Sequence, residues 1–123
     1  MTKRTPKATI VKGAEILWEE PPAHFDAFSK MLVNPQNTDS RLFDFRVSSY
    51  QPKGYVAPHK HKIQEQVYYI LEGEGLMELD GVRTVVTPWT AISIPPGVVH
   101  AIYNTGMCDL KFVVVTTPVS DDA

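Results

Sequence analysis

From residue 41 onward, apolar and polar positions change over in short runs, and each run ends at glycine, proline or a polar pair. Neighbouring side chains on a strand point to opposite faces, so period-two alternation predicts a half-buried strand. Residues 41–49 set Phe43, Phe45 and Val47 against Leu42, Asp44 and Arg46. The first set is expected on a core and the second toward water. Residues 66–71 and 75–79 read as strands joined through Glu72, Gly73 and Glu74, and Asp80-Gly81 is a tight-hairpin signal leading into residues 82–87. Residues 91–94, 100–103 and 110–116 supply three more strands. Short strands at close spacing, without a helical period between them, predict an all-β antiparallel sandwich or barrel. Residues 1–40 are less regular: residues 14–19 read as a strand, and residues 24–33 as a helical turn or an extended cover. There is no internal repeat.

Ten prolines and seven glycines fit this punctuation, and 123 residues suffice for one domain with a real core. Hydrophobic residues at 43% and charged residues at 21% are ordinary for a globular chain. A net charge of -2 leaves no basic footprint for nucleic acid. The early cations Lys3, Arg4, Lys7 and Lys12 read as a solvated, frayed tail. No apolar run is long enough to cross a bilayer, and the first residues lack the apolar core of a signal peptide. The single cysteine, Cys108, cannot form an internal disulfide and fits a reducing cytoplasm. It reads as an incidental thiol.

The chemistry concentrates in His59-Lys60-His61 and in His100, which follows Pro95-Pro96-Gly97. Alternate strand positions put the His59 and His61 imidazoles on one face. A third imidazole from a neighbouring strand would complete one side of a transition-metal shell. Taken alone, the pair reads as two polar residues on a half-exposed strand.

Two motifs resolve that ambiguity by resemblance. Gly54, His59, His61, the adjacent Glu65 and Gln66, and Gly73 stand in the order of the first motif of the cupin superfamily. Pro95, Gly97, His100 and Asn104 resemble its second motif, and together the two cover about residues 41–116. The resemblance implies a small double-stranded β-helix, or jelly-roll barrel, holding one divalent ion near its mouth. It also implies a division into an N-terminal extension (1–40), a barrel (41–118) and a tail (119–123). Homodimers are implied as well, with residues 10–20 crossing to the partner. Two positions depart from the family pattern: Trp89-Thr90 stands where a Gly-Asp turn is usual, and Lys53 stands at the first glycine, with Gly54 following.

Glu65 and Gln66 point to opposite faces of their strand, so only one can join the histidines. Seven residues before Gly73, the family's fourth-ligand position falls on Gln66. The chain thereby resembles a subset of small cupins with a His-His-Gln-His site. Three imidazoles and an amide leave the charge of a divalent ion uncompensated, which favours an anionic small-molecule ligand. These donors suit Mn, Fe, Ni, Zn, Co or Cu alike.

Tyr68 and Tyr103 are the candidate catalytic residues, able to donate or move a proton, and Tyr55 is a candidate for the cavity mouth. Phe43, Phe45, Met77, Ile92, Ile94 and Phe112 read as barrel filling. Asn104 is expected to fix the turn after His100. His24, Arg46, Arg83 and the run from Ser120 to Asp122 read as solvated surface, and Trp18 and Trp89 as covers for a barrel end or an interface. The expected function is that of a metal-dependent enzyme acting on a small oxygen-rich acid, of isomerase, lyase or decarboxylase type. Small cupins with this ligand set include enzymes that rearrange unsaturated uronates, although the acid and arginine those carry near the last strand have no counterpart in residues 114–118. The alternatives are an iron-dependent dioxygenase and a non-catalytic ligand-binding or sensor barrel.

Overall fold

A computed structural model describes residues 4–122. Its strands are β1 (His24–Val33), β2 (Asp44–His59), β3 (Glu65–Glu72), β4 (Gly75–Leu79), β5 (Val82–Val86), β6 (Ala91–Ile94), β7 (His100–Tyr103) and β8 (Leu110–Thr117). A single 3-10 turn covers Gly13–Glu15, and no helix among the described residues is long and apolar enough to cross a membrane. All ladders are antiparallel. The sheet runs β5-β4-β7-β2-β8-β3-β6 and curls on itself, with β1 added alongside β2. The expected strands after residue 65 all form. Residues 24–33 are extended, whereas residues 14–19 form the 3-10 turn and one isolated bridge from Glu19 to Ser29.

The organising element is β2, sixteen residues long. Its first half pairs with β8, from Asp44 opposite Thr116 to Tyr50 opposite Leu110. Its second half pairs with β7, ending with His59 opposite His100. Between the halves the strand turns a corner at residues 51–53, where Lys53 takes a left-handed φ of 70°. Thus the family's glycine position keeps the backbone shape of glycine with a lysine in it. Gly54 is needed for space instead, because a Cβ there would stand 2.3 Å from the Asp26 carbonyl oxygen of β1. Buried Asn104 locks this corner. Its Nδ2 donates to the carbonyls of Tyr50 (2.8 Å) and Cys108 (2.9 Å), and its backbone exchanges hydrogen bonds with Lys53 and Gly54. The turn that replaces Gly-Asp is built around Trp89, also left-handed at φ 73°, with hydrogen bonds to and from Ile70 on its two sides.

The apolar core fills one end of the curl. Tyr68 and Ile70 of β3, Met77 of β4, Ile92 and Ile94 of β6, Ile102 of β7, and Leu110, Phe112 and Val114 of β8 are all buried there. Burying each large side chain contributes about 1.5–3 kcal/mol before entropy is subtracted. On the first half of β2 the expected faces are reversed. Asp44, Ser48 and Tyr50 are buried, while Phe43 is 43% exposed and Phe45 and Val47 are only partly covered. The period of two is present, but the inward stripe lines a polar cavity rather than the packed end.

Candidate metal centre

Three imidazoles converge at the open end of the curl. His59 ends β2, His61 lies two residues on in the following loop, and His100 begins β7 directly opposite His59. One ligand atom from each of the three lies within 4.8 Å of the others. The His59 Nδ1–H donates to the Ala57 carbonyl at 2.8 Å, and the His100 Nδ1–H donates to the Val98 carbonyl at 2.9 Å. A carbonyl can only accept, so both rings carry a proton on Nδ1, which leaves Nε2 as the atom each can offer a metal. The His61 Nε2 is buried without a hydrogen-bond partner among the described residues. The loop that carries it is fixed from two sides. Gly97 N–H donates to the His61 carbonyl, and the Asp121 carboxylate accepts from the backbone N–H of Lys62, Ile63 and Gln64 at 2.7–3.0 Å.

Gln66 faces this cluster and Glu65 faces solvent. The Gln66 Nε2–H donates to the Thr116 hydroxyl at 3.0 Å, which turns Oε1 toward the His100 Nε2 at 3.1 Å. Burial, followed by the fields of His59 and His61, pushes His100 down to about 4, so its ring is neutral near pH 7. Burial also lowers His61. The Gln66 amide thus meets the His100 Nε2 beside a His61 Nε2 that is buried and has no partner among the described residues. Three imidazoles within reach of one point, one of them with an unmet nitrogen, fit a transition metal ion.

Beyond the donors lies a cavity of about 170 Å³, whose walls include His24, Arg46, Ser48, Tyr50 and Tyr68. Two of these correct the sequence reading. His24, expected at the surface, packs edge-on against Tyr50 with ring centroids 6.0 Å apart, and burial lowers its pKa. Arg46, expected outside, points inward. Its position and that of His59 have opposite parity, and only the register shift between Val56 and His59 brings the two side chains to one cavity. The available signal was the polar stripe Asp44, Arg46, Ser48, which suits a wet interior better than a packed one.

The two candidate tyrosines part company. Tyr68 stacks on Phe112 at 5.3 Å, meets His100 edge-on at 6.2 Å, and is pushed by burial up to about 12, so it keeps its proton. Tyr103 is not on the cavity wall. Its ring stacks on Tyr55 at 5.6 Å and lies 5.6 Å from the Arg83 guanidinium, and Tyr55 in turn stacks on Phe25 at the surface. Tyr55 and Tyr103 thus stack on each other away from the cavity wall. Arg83 is exposed and bound to Glu78, as expected. The termini differ from the expected solvated tails, since Arg4 and the Lys7 N–H bind Asp39 and Asp121 is engaged as above. Lys3 lies outside the described residues.

The family model for the cupin domain matches residues 46–116 of this chain. An uncharacterized protein of Methanocaldococcus jannaschii is 45% identical over 60 residues, which are 49% of this chain and 48% of that protein. The oxalate-binding protein of Thermotoga maritima is 36% identical over 64 residues, 52% of this chain and 53% of the relative. The matched segment thus spans about half the length of these curated relatives. Among solved structures, that of a predicted oxalate decarboxylase from Thermotoga maritima superposes with a TM-score of 0.79 at 26% identity, covering 89% of this chain and 98% of that one.

Proposed function

The chain belongs to the cupin family, and we propose that it holds one divalent transition metal ion through His59, His61, Gln66 and His100 and acts as an enzyme on a small oxygen-rich acid, of isomerase, lyase or decarboxylase type. The observation that carries this reading is the convergence of the three imidazoles beside the Gln66 amide, with the His61 Nε2 buried and unpartnered among the described residues. A bound divalent ion would supply Lewis acidity for a carboxylate or carbonyl and for negative charge developing on it. The chain's own contributions are positional. The Ala57 and Val98 carbonyls fix two imidazoles, and Thr116 fixes the amide. Tyr68 serves as a hydrogen-bond donor rather than a base, because its phenol stays protonated.

A small acid as ligand is supported by the oxalate-binding relative and by the size of the cavity, well below the roughly 300–1,000 Å³ that accommodates drug-sized molecules. Elemental analysis of protein purified without added metal tests the first half: near-stoichiometric metal in the wild type, lost in His61→Ala and Gln66→Ala but retained in Glu65→Ala, is expected. Incubation with oxalate, keto-acids and unsaturated uronates tests the second. Turnover that consumes oxygen would replace this reading by the dioxygenase, and metal without turnover would replace it by a binding barrel. We extend the proposal to a homodimer through residues 10–20. Ile10 and Leu17 are 90% and 84% exposed there, apolar surface that a second copy would cover, and light scattering decides the matter.

A further inference from the structure

We propose that Arg46 is the anion anchor of this cavity: the guanidinium binds one carboxylate of the ligand, while a second oxygen of the same molecule turns toward the histidine cluster. Its first half stands on the geometry of Arg46 alone, and only the second rests on the metal reading above.

Among the described residues that line the cavity, Arg46 is the only lysine or arginine, and no aspartate or glutamate lines it. The Nε of Arg46 is buried without a hydrogen-bond partner. A desolvated charged donor is costly to leave unmet, so this nitrogen marks a place built for an acceptor. The neighbouring carboxylate does not fill the role. Asp44 Oδ1 stands 3.7 Å from the Arg46 Nη2, beyond the length of a charge-assisted hydrogen bond, and Oδ1 itself has no partner. Asp44 faces Thr116 across the β2–β8 ladder and shares its carboxylate between Thr116 and the Nη2 side of Arg46, which leaves the Arg46 Nε for another acceptor. Arg46 remains reachable, with 28% of its side chain exposed. A planar fork with parallel N–H groups matches a carboxylate in two-point contact, which a lysine cannot reproduce.

The cavity then selects bifunctional small acids, with a carboxylate for Arg46 and a hydroxyl, carbonyl or second carboxylate oxygen for the histidine side. Acetate, with one group, satisfies only one end. Glycolate is the simplest probe with both.

Glycolate and acetate are titrated into zinc-loaded and metal-free protein, following the Arg46 Nε–H resonance by NMR and affinity by calorimetry. The expected result is a shift of that resonance on glycolate binding, and a glycolate affinity roughly 30-fold or more weaker in Arg46→Met, as for loss of one partner of a buried charge pair, with zinc affinity retained. Arg46→Lys, which keeps the charge if the methionine variant does not fold, is expected to fall between the two. Asp44→Asn, which removes the competing carboxylate, should bind glycolate at least as tightly as wild type. An unmoved Nε–H resonance at glycolate saturation, wild-type affinity in Arg46→Met, or equal losses in Asp44→Asn and Arg46→Met would overturn the assignment. If the wild type takes up no zinc, the metal reading fails by itself, and the Nε–H shift in metal-free protein still decides the anchor.

Discussion

Gln66 and His100 illustrate how much one atom pair decides. Replacing the amide by a carboxylate, Gln66→Glu, adds a negative charge to an otherwise neutral donor set. It is expected to tighten divalent metal binding while weakening capture of anions, both measurable by calorimetry against a competing chelator. A pH effect follows from the same residue. In the metal-free protein the folded His100 titrates near 4 because burial disfavours its cation, against about 6.5 in the unfolded chain. As pH falls, the unfolded chain takes the proton first. Stability is therefore flat above about pH 6.5 and declines toward pH 4, by about 2–3 kcal/mol at 1.36 kcal/mol per unit of difference. Urea denaturation at several pH values should show this decline, and His100→Gln should reduce it, leaving the contributions of His24 and His61, whose pKa values burial also lowers. The histidines and Gln66 were legible in the sequence because motif spacing marks them. Arg46 and His24 were not, since the first half of β2 turns its polar rather than its aromatic stripe inward, and His24 lies beyond the register shift between Phe25 and Ala27 on β1.

At the scale of elements, β2 and the two segments that clasp it carry the site. Gly54→Ala would drive a methyl group into the Asp26 carbonyl of β1. The backbone there cannot yield without breaking the β1–β2 ladder, so a loss of about 1–3 kcal/mol is expected, read as a lower midpoint in thermal unfolding. The displaced β1 would also carry His24 away from the cavity. Asp121 holds the loop of His61 through three backbone N–H groups, and the bond from Ile63 does most to keep its carboxyl down at about 2. Asp121→Ala is expected to weaken metal binding by about tenfold, as for residues that orient a ligand from behind, and Asp121→Asn to weaken it less. Metal titration of the two variants distinguishes these outcomes. Strands β3 to β8 could be read from alternation and turn residues. Strand β1 could not, because His24–Val33 buries Ala27 and Ser29 while Phe25 is exposed, so its apolar residues follow no clean period.

For the molecule as a whole, the fold was legible because many short strands and two spaced motifs agreed with each other. The character of the interior was not, since alternation reports that a face is inward without reporting whether it is packed or wet. The wet part is small, and a cavity of about 170 Å³ should admit acids of a few carbons and exclude polycyclic aromatics. Competition against glycolate by a graded series of carboxylic acids, with affinity collapsing as size increases, checks this. The corner at residues 51–53 adds a geometric consequence. The guanidinium sits on one limb of β2 and an imidazole on the other, so a bend pinned by the Asn104 side chain sets the span between them. That bend works as a caliper: change its opening and the protein would prefer a longer or shorter guest, with both jaws chemically untouched.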